Sequence, residues 1–161
     1  MTARRIGAAV AMLLVLALAA CTDDSGLTGN QMHDISSFRA GANSICTAAT
    51  ASGHAAVAQA KAQFPSAPTV DQAHAFLVTT LIPISEQQVG DLHNLGEPTL
   101  DRASWDDIRA QLDTNLTALK AAADRDPVGT LTTIMNAPTG AGNSALDRSM
   151  VAFGIPECAK S

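Results

Sequence analysis

Between positions 101 and 119 the apolar side chains Trp105, Ile108, Leu112, Leu116 and Leu119 fall three or four residues apart, the spacing that lines one face of an α-helix. The same rhythm recurs along most of the chain, and nowhere does a sustained run alternate apolar and polar residues in the manner of a strand. These patterns predict an all-α fold, a single four- or five-helix bundle. Length agrees: 161 residues suffice for one domain with a real core and are few for two.

Helix boundaries follow from local chemistry. A first helix is expected from about Asp34 to Gln63, with Ile35, Phe38, Ala42, Ile45, Ala49, Ala56 and Ala60 facing inward and with Gly41 and Gly53 weakening it or allowing close packing. Pro65-Ser66-Ala67-Pro68 reads as a loop, and Thr69 followed by Gln72 forms a capping-box pattern that opens a second helix. Ala73, Phe76, Leu77, Leu81, Ile84, Gln88, Leu92 and Leu95 carry its rhythm, while Pro83 predicts a kink or break near Thr79 to Ile82, which could leave a cleft. The Trp105 helix opens at Asp101 or Ser104, and Asp126 before Pro127 caps a short helix to about Asn136. After a loop at Pro138 to Gly142, a last helix starts at Asn143 or Ser144, buries Leu146, Met150 and Phe153, and stops at Gly154 ahead of an extended Ile155-Pro156-Glu157-Cys158.

The N-terminus has a different grammar. Arg4 and Arg5 precede an uncharged run from Ile6 to Ala20, the layout of a secretory signal and shorter than the roughly 20 apolar residues of a membrane span. It ends in Leu18-Ala19-Ala20-Cys21, which resembles the lipobox of bacterial lipoproteins. The resemblance implies cleavage before Cys21 and lipidation of its thiol, with palmitate-type acyl chains holding the protein on the extracytoplasmic face of the cell membrane. An ordinary signal peptide cut after Ala19 or Ala20 is the alternative. The expected organisation is a signal peptide over 1–20, a lipidated flexible tether over 21–33 and a helical bundle domain over 34–161. The tether composition of Thr, Asp, Ser, Gly, Asn and Gln gives a reach of about 20 Å.

Once Cys21 carries lipid, Cys46 and Cys158 form an even pair, and an exported protein seldom leaves a thiol over. A disulfide between them would tie the C-terminal tail to the first helix; two free or redox-active thiols are the competing arrangement. The early helix cysteine, the mid-chain proline and the closing Gly-Ile-Pro-x-Cys together resemble a group of small actinobacterial lipoproteins of unknown function. That resemblance implies compartment and fold, and it carries no catalytic residues. Abundant alanine, scarce lysine and the absence of tyrosine fit a GC-rich genome of the same kind.

Charge narrows the partners. The chain holds 15 Asp plus Glu against 10 Lys plus Arg, and two of the arginines belong to the signal, so nucleic acid is not an expected partner and attachment to anionic headgroups would depend on the lipid. His33, His54, His74 and His93 lack the three- or four-residue spacing of helical metal ligands. Asp71 with His74 can share a helix face, whereas Asp91 and His93 point apart. No nucleophile elbow, Ser-x-x-Lys pair or phosphate loop occurs. Trp105 fits core packing, with a groove or partner surface as its functional alternative. The sequence therefore predicts a membrane-anchored cell-envelope lipoprotein acting as a non-catalytic binding or protein-interaction module, with no cofactor and an envelope protein as possible partner. The alternatives are an extracytoplasmic receptor for a small molecule, metal or haem, and a hydrolase.

Overall fold

A computed structural model describes residues 29–137 and 144–160. It is all-helical over that range: α1 (Gly29–Gln63), α2 (Val70–Phe76), a π-helical turn (Leu77–Leu81), α3 (Ile82–Asn94), α4 (Arg102–Arg125), α5 (Pro127–Asn136), α6 (Ala145–Phe153) and a closing 3₁₀ turn (Pro156–Lys160). Since α2, the π turn and α3 form one continuous rod, the described residues make a five-helix bundle. Cys21, the signal and the Pro138 to Gly142 loop lie outside the described residues.

The helix starts obey short-range rules. Thr69 Oγ1 accepts from Gln72 N–H at 3.3 Å while the Gln72 side chain accepts from Thr69 N–H at 2.9 Å, so two of the free N–H groups at the start of α2 are satisfied reciprocally. Ser144 and Asp147 form the same box at α6. Asp126 accepts from Gly129 N–H at 3.0 Å at the head of α5, where Pro127 follows. Gly154 ends α6 at φ +91°. There Gly154 N–H bonds to Val151 O and Ile155 N–H to Met150 O, the paired closure of a Schellman motif.

Four expectations require correction. First, α1 begins at Gly29 rather than Asp34; extending an existing helix by a turn costs far less than nucleating one, and no proline stands in the way. Second, Pro83 does not break the rod. The preceding turn widens into π geometry, with Ile82 N–H bonding to Leu77 O, which fits a residue lacking an N–H into a continuous helix. The extra residue shifts the phase of α3, so Ile82 and Val89 are buried while Ile84 and Gln88 are only half-buried. Third, the inward side of α1 uses Cys46, with Ile45 and Ala49 half-buried beside it. Fourth, the segment after Gly154 is not extended. It coils into the 3₁₀ turn, with Cys158 N–H bonding to Ile155 O at 3.0 Å and Glu157 N–H donating to Asn43 Oδ1 at 3.1 Å.

The core divides into two clusters. The first gathers Ile35, Phe38, Ala42 and Cys46 of α1 with Trp105 and Ile108 of α4, Phe153 of α6, and Ile155 and Cys158. Trp105 is fully enclosed, edge-on to Phe38 at 4.9 Å and stacked on Phe153 at 5.7 Å, with Nε1–H donating to Gly96 O at 3.3 Å. Its alternative role on an exposed groove is thereby excluded. The second cluster gathers Ala56, Ala60, Ala73, Phe76, Leu77, Leu81, Ile82, Ala123 and Leu131. Between Cys46 and Ala56 no residue of α1 is buried.

The disulfide belongs to the first cluster. Cys46 and Cys158 are bonded, their Cα atoms 4.8 Å apart. Asn43, one turn before Cys46, brackets the tail from both sides by donating to Gly154 O at 3.3 Å and accepting from Glu157 N–H. The helix thus presents Cys46 to a C-terminal turn whose backbone is already fixed beside it.

Candidate functional site

Where the inward stripe of α1 loses its large side chains, a cleft of about 370 Å³ opens. Thr50, Gly53, Val57 and Lys61 form its α1 wall. Their spacing of three, four and four residues puts them on one face, extending about 16 Å at 1.5 Å per residue. Leu81 of the π turn and Ser85 and Gln88 of α3 form the opposite side. Leu119, Ile134 and Met135 line its base, and these three also pack on the second cluster. Lys160 of the 3₁₀ turn comes in from the disulfide end. Leu81 and Ser85, on either side of Pro83, line the cleft, while Pro83 itself does not, and a π turn in its wall is the kind of helix irregularity often found at functional sites.

Gly53 is central to the opening. A Cβ built on it would meet nothing within 4 Å. Gly41 on the same helix behaves differently, because its Cβ would lie 3.0 Å from Leu95 Cδ2. Close packing therefore explains Gly41 and does not explain Gly53. A glycine inside a helix costs about 0.5–1 kcal/mol relative to alanine, and at position 53 that cost leaves the cleft open rather than admitting a neighbour.

Polar groups concentrate toward the Cys46 end. Gln88 Nε2 donates to Cys46 Sγ at 3.5 Å, which places Gln88 one helical turn from Thr50. Thr50 Oγ1 is sealed from solvent and has no hydrogen-bond partner among the described residues. Lys160 Nζ pairs with Glu157 at 2.5 Å on the surface. Ser85 Oγ donates back to Leu81 O at 3.3 Å, so its proton is engaged with the backbone. No Asp or Glu is among the described residues lining the cleft, although acidic residues outnumber basic ones in the chain.

The histidines separate. His54 is exposed at the cleft rim, while His74 and His93 turn to α4, His74 Nε2 lying 3.3 Å from Asp124 Oδ1 and His93 Nε2 3.5 Å from Asp113 Oδ1. Asp71 is therefore not the partner of His74. The side chain of His33 lies outside the described residues. No group of three or more His, Cys, Asp or Glu side chains is placed to hold a metal among the described residues.

Sequence reasoning named Gly53, His54, Leu81 and Gln88 without assembling them, and it passed over Thr50, Val57, Lys61 and Lys160. The available signal was the gap on α1, where Ala49, Thr50 and Gly53 stand between the larger inward side chains of the first cluster and the alanines of the second. No helix among the described residues is long and apolar enough to cross a membrane. Compared with protein-family models, with curated proteins and with solved structures, the chain matches none.

Proposed function

We propose that this protein is a lipid-anchored binding protein of the cell envelope, held by acylated Cys21 and non-catalytic, whose cleft beside the π turn receives a small molecule. The cleft carries the reading. Its volume of about 370 Å³ falls within the usual 300–1,000 Å³ of ligand sites, and an apolar interior with a few convergent polar groups is their usual chemistry. A protein-docking surface has less support, since the exposed large apolar side chains among the described residues, Val70, Val78 and Val151, are divided between the α2 rod and α6 rather than forming one patch.

The anchor rests on the lipobox-like Leu18-Ala19-Ala20-Cys21 and on cysteine parity. The Cys46–Cys158 bond occupies two of the three thiols, leaving Cys21 for acylation, and such bonds persist in oxidising compartments outside the cytoplasm. Two acyl chains give durable attachment where one gives only marginal binding.

The test has two parts. In cells fed a radiolabelled or clickable fatty acid, Cys21→Ala is expected to abolish protein labelling and membrane retention while the disulfide-closed domain persists. Undiminished labelling of the variant refutes the anchor. Native mass spectrometry of protein released gently from the membrane is expected to show an adduct of a few hundred daltons, on the order of the cleft's capacity; uniformly ligand-free protein from several growth conditions refutes the receptor.

A further inference from the structure

Resting on the reading of the cleft as a ligand site, we infer that its occupant is a single-chain anionic amphiphile, an aliphatic tail carrying a carboxylate or phosphate head. Three observations converge. The residues of the interior, Val57, Leu81, Leu119, Ile134 and Met135, are all aliphatic or thioether; no Phe, Tyr or Trp lines the cleft among the described residues, and the imidazole of His54 is exposed at the rim. Planar aromatic ligands are normally gripped by stacking on rings, so this lining suits a flexible hydrocarbon chain instead.

Shape comes second. The α1 wall is about 16 Å long and the cleft holds about 370 Å³, near the lower end of ligand sites. That is a narrow slot for one chain lying along α1, kept open by the missing side chain of Gly53.

Charge supplies the third. Lys160 and Lys61 line the cleft, no acidic residue does so among the described ones, and the chain as a whole carries a formal charge of −5. A cleft with cationic ends in an acidic protein selects an anionic head. The head belongs at the Thr50 end. There the hydroxyl of Thr50, which has no partner in its sealed position, would donate to an anionic oxygen once rotation about χ1 turns it into the cleft. Lys160 is bound to the surface carboxylate of Glu157, an exposed pair that exchanges partners at little cost. At the other end Lys61 is exposed, and its methylene stem can cover a bound chain while the ammonium stays in solvent.

The full chain, reconstituted in phosphatidylcholine nanodiscs, is irradiated with a palmitate analogue bearing a diazirine near its terminal methyl group, and labelled peptides are mapped. Label is expected on the α1 and α5 segments that bound the cleft. Unlabelled palmitate and hexadecyl phosphate should compete at least tenfold better than hexadecanol or hexadecyltrimethylammonium. Gly53→Leu, whose side chain enters open space, should cut labelling at least tenfold with the helical spectrum unchanged. Lys160→Met with Thr50→Val should erase the preference for the anions without abolishing capture. If hexadecanol competes as well as palmitate, the anionic ligand is refuted and the cleft survives as a site for neutral amphiphiles. Labelling scattered over the surface, or unaffected by Gly53→Leu, refutes the site itself.

Discussion

Reducing the Cys46–Cys158 bond is a perturbation whose size follows from topology. The two cysteines are separated by 112 positions in sequence, and the chain-entropy relation for a loop of that length gives about 16 cal/mol/K, or about 4.8 kcal/mol at room temperature. Reduction obliges the two sulfurs to part only to van der Waals separation, while Asn43, Ala42 and Gln88 hold the surrounding chain, so native packing is expected to change little. Nearly the whole effect therefore acts on the unfolded ensemble. Urea titrations of the oxidised and reduced forms, followed by far-UV circular dichroism, should differ in midpoint by about 2.4 M for a slope of about 2 kcal/mol/M. The double variant Cys46→Ala with Cys158→Ala removes two buried sulfurs as well and should fall a further 1–2 kcal/mol or so below the reduced form. A difference of less than about 1 kcal/mol between oxidised and reduced protein would refute the reasoning, since it would mean that the free chain already holds its ends together.

Trp105→Ala should cost about 3–5 kcal/mol in thermal or urea unfolding, because it empties the contact between Phe38 and Phe153; Trp105→Phe should cost less and leave Gly96 O without its donor. Gly154→Ala should lose about 1–2 kcal/mol from backbone strain alone, since its φ is +91° and the new Cβ would sit 2.9 Å from Arg39 Cδ. Gly90→Ala meets nothing within 4 Å in the interior of α3 and should raise the unfolding free energy by about 0.5–1 kcal/mol. Asp126→Ala removes the cap on Gly129 N–H and should cost about 1 kcal/mol, read in the same titrations.

The features legible in the sequence were those that short-range chemistry decides. Thr69 with Gln72, Asp126 with Pro127, and Ser144 before the last helix each satisfy backbone groups within three residues, so their outcome hardly depends on the rest of the fold. The Trp105 stripe was legible for the same reason, its spacing being a property of one helix. The π turn was not. Pro83 announces that a backbone bond must be lost, but whether the chain bends, breaks or widens depends on which residues find burial, and widening let Ile82 and Val89 reach the interior. The cleft was legible only in part. Gly53 signals a local exception, but the void beside it is bounded by α1, the π turn, α3, α4, α5 and the C-terminal turn, and no local pattern reports the space left between elements. The 3₁₀ turn failed likewise, since an Asn43 more than a hundred positions away fixes it.

The covalent graph of this molecule is a ring with an arm. Residues from Cys46 to Cys158, including the whole second cluster, form the ring; everything before Cys46, with Cys21, is the arm. A protease that cuts once anywhere inside the ring opens it without separating the pieces, so the nicked protein keeps its mass on a non-reducing gel apart from the added water. In a chain acylated at Cys21, both pieces would remain on the membrane. Only a cut in the arm releases the bundle, and then it leaves with its ring and its cleft intact, which makes the residues between Cys21 and the start of the first core cluster the point where surface-bound protein can become shed protein.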